Sequence, residues 1–396
     1  MAGITGLGTT YNLPNFSGLL YGLTPTETPF FSAIGGLTGG RQSTETRFQW
    51  SYFDLRDPGQ RVALEGQDAP NPEERVRAYA YNITQIHQEA VGVSYTKLAA
   101  TGNLAGLNLA GAQNNVGNEL DWQVAQQLKQ MVRDVEFSFL RGTFQDPVDN
   151  TQPRKTRGLL NAITTNTASG GTPVTGGGAI AVAGATDIFT ATAHGLAANA
   201  AVVLNVTAGA GGITSGNTYY VRDVTANSFK VAATKGGPAV DVTSDGSVTA
   251  NASGSVTKAG IDEIMQKAWE NGGISEAETA TLMTGSGLKP ALSKAYITDA
   301  GFAESERTVG GVNLQTIMTD FGRLNIMLNR HMPKDMIAIV SLEQCAPVFL
   351  EIPGKGHFFA EPLAKTGASE KVHLYGEIGL AYGNEVNHAK ISGLAA

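Results

Sequence analysis

Residues 118–142 read NELDWQVAQQLKQMVRDVEFSFLRG, and their spacing decides the architecture. Leu120, Val124, Leu128, Met131, Val132, Val135 and Phe139 recur at steps of three and four, which places them on one face of an α-helix of about six turns. Glu, Gln, Lys and Arg fill the opposite face, and Gly142 stops the run. A helix this long with one apolar face is a structural spar. A second helix is expected in AGIDEIMQKAWENGG, residues 259–273, with Ile261, Ile264, Met265, Ala268 and Trp269 on one side and Gly-Gly at its end.

On the N-terminal side, residues 1–40 mix Gly, Thr, Pro and Asn with scattered aromatics and show little periodicity, so they read as an extended arm that another surface must order. Two runs with strand chemistry follow, RFQWSYFDL (47–55) and RVRAYAYNITQIHQEAVGVSYT (75–96), separated by the polar RDPGQRVALEGQDAPNPEE. They predict a long hairpin with a charged tip. Asp54, Asp57, Glu65, Asp68, Glu73 and Glu74 are interleaved with Arg47, Arg56, Arg61, Arg75 and Arg77, which suits a mixed-charge face meeting a complementary neighbour better than a cation site. A merely solvated face is the alternative.

On the C-terminal side the composition changes abruptly over residues 168–257, where Gly, Ala, Thr and Val dominate and charges nearly vanish. Strand-like runs, DIFTATA (187–193), AVVLNV (201–206), TYYVRDV (218–224) and SFKVAAT (228–234), alternate with turn residues, so a separate small β-domain inserted in a host fold is expected, with Tyr219 and Tyr220 exposed. Residues 312–343 have the alternation of a meander: Val312, Leu314 and Thr316, then Leu324, Ile326 and Leu328, then the buried run MIAIV. Asp320-Phe321-Gly322 between the first two is a hairpin turn. The same tripeptide holds magnesium in protein kinases, but no Gly-rich loop, strand lysine or His-Arg-Asp loop accompanies it.

Other chemistry is equally lacking in support. There is no Gly-x-Ser-x-Gly elbow and no Walker loop, and PGKGH at 353–357 has the wrong flanks for one. The histidines (His87, His194, His331, His357, His373, His388) fall in different expected elements without metal-ligand spacing, so neither a metal nor a cofactor is expected. The single cysteine, Cys345, excludes an internal disulfide and reads as a buried thiol. With 49 glycines among 396 residues, 42% hydrophobic and only 16% charged, the chain suits turn-rich β-structure that buries against other surfaces. A formal charge of -7 argues against affinity built on neutralising phosphates. MAGITGLGTTYNLPNF is not a signal peptide, and no stretch approaches the roughly 20 apolar residues of a membrane span. No enzyme is expected.

The order of arm, long hairpin, long helix and α/β region with a late meander resembles tailed-bacteriophage major capsid proteins of the Hong Kong 97 type, an α+β fold. EGQDAP (65–70), YNITQIHQEAVGVSYT (81–96), NELDWQVAQQLKQMVRDVE (118–136), TDFGRLNIMLNRHMPKDMIAIV (319–340) and EPLAKTG (361–367) are similar to a head-protein family within that fold. The resemblance implies an N-arm over 1–40, an extended E-loop over 41–97, and a peripheral domain with its spine helix and the entry to an axial domain over 98–167. It further implies the inserted all-β domain over 168–257 and, over 258–396, the axial domain with returning peripheral-domain strands. The meander would belong to the peripheral domain, near three-fold contacts. HGLAANAAVVLNVTAG and GNTYYVRDVTANSFKVA resemble small β-modules of other phage structural proteins that project outward.

The implied function is a subunit that self-assembles as hexamers and pentamers into an icosahedral head around a DNA genome it does not bind specifically. The implied location is the virion, assembled in the bacterial host cytoplasm without a membrane partner. Arg56, Arg61, Glu65, Asp68, Arg75 and Arg330 are the implied inter-subunit contacts. A scaffolding protein, a portal and a decoration protein are implied partners. Some members of the fold cross-link through an E-loop lysine; no lysine lies between Arg41 and Lys97, so a non-cross-linked shell is expected. An encapsulin-like nanocompartment shell is the near alternative, and a tail or adhesin-type virion protein the more distant one.

Overall fold

The computed structural model describes residues 24–60, 62–69, 71, 73–99, 119–274, 279–299, 315–364 and 367–395. The long helix runs Glu119–Arg141. Met131, Val135, Phe139 and Leu140 are buried, whereas Leu120, Val124 and Leu128 are only half-buried, so the apolar face is covered along its C-terminal half alone. That half packs on a five-stranded sheet. At its centre Ser369–Ala381 pairs with Gln85–Ser94 on one side and with Ala346–Leu350 and Phe358–Pro362 on the other. Arg41–Ser43 adds a parallel edge to Ala346–Leu350.

The hairpin forms as expected from Arg47–Phe53 and Arg77–Ile83, antiparallel with Phe53 opposite Arg77. Its return run does not stay in the hairpin. Past Thr84, Gln85–Ser94 leaves and joins the five-stranded sheet, because Val91, Val93 and His87 have the buried alternation that a core sheet rewards. The root of the hairpin is pinned by polar contacts. Asn82, fully buried, donates to the carbonyls of Leu380 (2.8 Å) and Arg157 (3.1 Å) and accepts from the Arg157 and Ile83 amides (2.8 and 2.9 Å). The Trp50 indole donates to the Gly383 carbonyl at 2.6 Å.

A second sheet has six strands in the order Thr316–Thr319, Gly322–Leu328, Thr279–Thr284, Ile337–Val340, His388–Ser392, Thr167–Ser169. Asp320-Phe321 is the two-residue turn of the first hairpin, Thr319 facing Gly322, whose φ of 136° suits glycine. The expected meander is broken after that hairpin. Thr279–Thr284 lies between Gly322–Leu328 and Ile337–Val340, parallel to the former and antiparallel to the latter. Val312 and Leu314 lie outside the described residues.

This sheet has no solvent face in the middle. Leu282, Ile337, Ile339, Ala389 and Ile391 pack with Ile261, Ile264, Met265 and Leu292 of helices Lys258–Glu270 and Leu288–Asp299. The alternate residues Met283, Ala338 and Val340 enter the core under the long helix. Burial on both faces explains the unbroken apolar run MIAIV. The 319–328 hairpin thus belongs to the sheet packed on the two shorter helices. Thr257 caps the Lys258–Glu270 helix by accepting the Gly260 amide at 3.1 Å. Trp269 at its end is exposed, contrary to its expected place on the apolar side.

Residues 172–252 form a third sheet that closes on itself. Ile180–Ala183, Ile188–Thr190, Ser228–Ala232, Asn217–Arg222, Ala201–Gly209 and Gly246–Ala252 pair in turn, and the last pairs back to the first, giving an antiparallel barrel. Thr172–Pro173 adds a short pairing to the end of Gly246–Ala252. The barrel has its own core, with Phe189 stacked on Phe229 at 5.4 Å among Val202, Leu204, Val221 and Val248. Tyr219 points into that core and is buried, its hydroxyl accepting the Thr214 amide at 2.9 Å, and Tyr220 is half-buried; neither is the exposed tyrosine expected from sequence.

His388 ties the core of the second sheet to the segment that enters it. Its Nδ1 accepts the Ser341 amide at 3.3 Å, so Nε2 carries the proton and donates to the Tyr382 carbonyl at 2.7 Å. Burial pushes the pKa of His388 down to about 4, and that of His87 likewise.

Two predictions follow from this packing. Phe229→Ala should cost the barrel about 3–5 kcal/mol and lower a calorimetric transition of the barrel while the transition of the remaining sheets stays in place; a single shifted transition would show that the cores are not separate. Because both histidines have folded-state pKa values below the ordinary 6.5, their contribution is intact above that pH and is lost as pH falls toward 4, on the order of 3 kcal/mol each. The melting temperature should therefore drop between pH 7 and 5, with a shallower slope in His388→Gln; a flat profile in the parent protein would contradict neutral burial.

Candidate assembly surfaces

The deepest functional feature is a carboxylate that the sequence reading passed over. Glu136 sits at i+4 from Val132 and i−3 from Phe139, inside the apolar stripe of the long helix, and is fully buried. It accepts the backbone amides of Phe30 at 3.0 Å and Phe31 at 2.6 Å, and the Asn329 side-chain amide. Phe30 and Phe31 belong to the short helix Pro29–Ala33, whose first amides have no partner within the turn, so Glu136 satisfies them. Burial raises the Glu136 pKa, while its three donors pull it back. Asn329 passes the tie on, its amide donating to the Thr284 carbonyl at 3.0 Å and its Oδ1 accepting from His331. One side chain thus joins the Pro29–Ala33 turn, the long helix and the second sheet. A charged residue interrupting an apolar helical face was the available signal.

The second feature is the hairpin. Phe53, Leu55, Val62, Leu64, Val76 and Tyr79 stand along it and its tip with 65–83% of their surface in water. An isolated two-stranded ribbon is marginal in water, and apolar groups gathered on one are characteristic of a docking surface. Among the charged residues expected to make contacts, Arg75 lies 3.1 Å and Arg56 3.8 Å from Glu73 of the same chain. Glu65 and Asp68 are exposed on the tip, and Arg61 lies outside the described residues. Arg330 is not near them; it pairs with Glu27 of its own chain at 3.2 Å, beside the Glu136 junction. Exposed pairs of this kind contribute little cohesion by themselves.

The third feature is an apolar groove of about 420 Å³ beside the uncovered half of the long helix, lined by Leu37, Val124, Leu128, Phe358, Phe359 and Leu374. Among the described residues no group of three or more His, Cys, Asp or Glu is arranged to hold a metal ion, and no helix is long and apolar enough to cross a membrane. Cys345 is buried, with its thiol pKa pushed up to about 12 by burial.

The fold of this chain leaves apolar side chains uncovered along the hairpin and the groove. It is similar to the capsid protein of cyanophage A-1(L), at 10% identity with a TM-score of 0.56 over 98% of this chain and 99% of that one. It is also similar to the capsid protein of cyanophage P-SCSP1u (10% identity, TM-score 0.51, 99% and 96% covered) and to that of a native GTA particle (12%, 0.50, 97% and 95%). The chain belongs to the SU10 major capsid protein family, whose model matches residues 3–395, and it is a structural component of a tailed-phage virion. No curated protein matches it.

Replacing Glu136 tests the junction. Glu136→Ala strands two buried backbone donors and should destabilise the protein by about 3 kcal/mol or more, and Glu136→Gln, which turns an amide group toward donors, by about 1–3 kcal/mol. Chemical denaturation measures both; a loss below 0.5 kcal/mol for Glu136→Ala would show the contacts to be incidental.

Proposed function

We propose that the chain is a Hong Kong 97-type subunit that assembles without covalent cross-links into hexamers and pentamers of an icosahedral head. In this reading residues 1–40 are the N-arm, 41–97 the E-loop, 98–167 the peripheral domain with its spine helix, 168–257 an inserted β-domain and 258–396 the axial domain with returning peripheral strands. The observation that carries it is the pinned hairpin whose apolar residues are left in water. Together with the uncovered groove beside the long helix, it makes a subunit with an offered surface and an open one. The hairpin of one copy covers the groove side of a neighbour, and the burial offsets the entropy of ordering hairpin and arm.

The charge of -7 leaves the enclosed DNA unattached, since mobile packing needs no phosphate-neutralising surface. With no lysine in the hairpin region, cohesion rests on apolar burial and the mixed charges around Glu73. Assembly in the host cytoplasm draws on a scaffolding protein, with a portal at one vertex and decoration proteins outside. The barrel, closed and without a large apolar residue exposed among its described positions, suits a projection into solvent better than a contact between subunits.

Removing residues 54–76 and closing the hairpin with Asn-Gly tests the reading. Electron microscopy of the parent protein co-expressed with its neighbouring head genes should show closed shells, and the shortened variant should remain as folded protomers or capsomers. Shells of normal size from the shortened variant would overturn the role given to the hairpin, and tubes from the parent would overturn the shell itself. Denatured shells should run as single chains in a gel rather than as ladders.

A further inference from the structure

The barrel is carried on a neck of two chain crossings, and both are bonded to a third segment that belongs to neither. On entry, Thr167–Ser169 runs parallel to Lys390–Ser392, and the Gly170 amide donates to the Ser392 carbonyl at 2.8 Å. On exit, Gly254–Ser255 runs parallel to Leu394–Ala395, and the Gly254 amide donates to the Gly393 carbonyl at 3.0 Å. The crossings are so close that a β-carbon on Gly254 would lie 1.7 Å from the Gly170 carbonyl oxygen, and one on Gly170 would lie 2.4 Å from Leu394 Cδ2. Only glycine permits this approach.

The third segment is held from behind by Asp335. The Leu394 amide donates to the Asp335 carbonyl at 2.9 Å, and the Gly393 amide donates to the Asp335 carboxylate. The Leu394 side chain is buried in the core of the second sheet. Among the described residues the barrel's extensive strand contacts are otherwise with itself.

We propose that residues Ser392–Ala395 are a latch: moored to the body by Asp335 and Leu394, they bond the entry strand through Ser392 and the exit strand through Gly393–Ala395 and fix the attitude of the barrel, and their release frees the barrel to swing without unfolding it. A two-strand neck alone is a hinge. With a third strand bonded across it, entry and exit cannot twist past one another unless two backbone hydrogen bonds break together. The barrel therefore turns with the second sheet as one piece. This inference does not rest on shell formation, since it concerns one chain.

Hydrogen exchange on the full-length protomer decides it. In Asp335→Ala, and in a variant lacking residues 394–396, the amides of Gly170 and Gly254 should exchange at least tenfold faster than in the parent protein. The amides of Leu204 and Val221 inside the barrel and Ile339 in the second sheet should keep their protection. If Asp335→Ala unfolds the sheet, the shortened variant alone decides. Unchanged exchange at Gly170 and Gly254 in the shortened variant overturns the latch, as does loss of protection in neck, barrel and sheet together.

Discussion

The arrangement depends on a buried carboxylate, Glu136, bonded to two backbone amides of one segment and the side chain of another. A charge is costly to bury unless donors surround it, and here the donors come from residues about 105 and 193 positions away in sequence. The cost is therefore met only when the Pro29–Ala33 turn, the long helix and the Asn329 loop are all in place. Apolar contacts around it, such as Phe31 edge-on to Phe139 at 5.7 Å, would tolerate a shifted turn; the two amide bonds would not. The Pro29–Ala33 turn thus has one direction relative to the helix.

The two projecting elements solve the problem of exposed β-structure in opposite ways. The barrel closes its strands in a ring, keeps its aromatic pair inside and presents no open edge. The hairpin does neither: two strands, no third, and aliphatic and aromatic side chains in water. One buries its own apolar side chains and the other leaves them in water. In the proposed shell, that contrast would separate the part of the molecule that meets neighbours from the part that rides on it.

Much of this was legible in the sequence where the cause is local. The long helix, the hairpin and the barrel strands announce themselves through periods of 3.6 and 2, and the helix begins and ends within a residue or two of its expected bounds. What was not legible is set by distant partners. Nothing near Thr279–Thr284 says that it inserts between two later strands, and the alternation after Gln85 marks a half-buried strand without saying which sheet it joins. Tyr219 and Tyr220 alternate across a strand, so one of the pair had to face the core; both were expected to be exposed, but the Tyr219 ring is buried and its phenol oxygen accepts the Thr214 amide. Glu136 was visible as an acid within an apolar stripe, yet its role depends on backbone donors that no side-chain pattern encodes. Among the expected contact residues, Arg56, Arg75, Glu65 and Asp68 share the hairpin and its tip, and Arg330 lies elsewhere in the chain, paired with Glu27 and exposed.

A common rule links the Pro29–Ala33 turn, the hairpin and the barrel. Each is moored at its root by a polar node: Glu136 for the turn at Phe30, Asn82 for the hairpin and Asp335 for the strand that grips the barrel's neck. Burial of apolar area supplies cohesion but no orientation, because it is proportional to area and indifferent to angle. Hydrogen bonds supply orientation but little net cohesion, because water competes for the same groups. A free-standing globular protein can leave its loops loosely aimed. A subunit that must present the same surfaces to every neighbour cannot, since an error in the angle of a projecting hairpin grows with its length. Placing directional contacts at the roots and apolar groups on the extensions fixes the angle before assembly and leaves the cohesion to be gained during it.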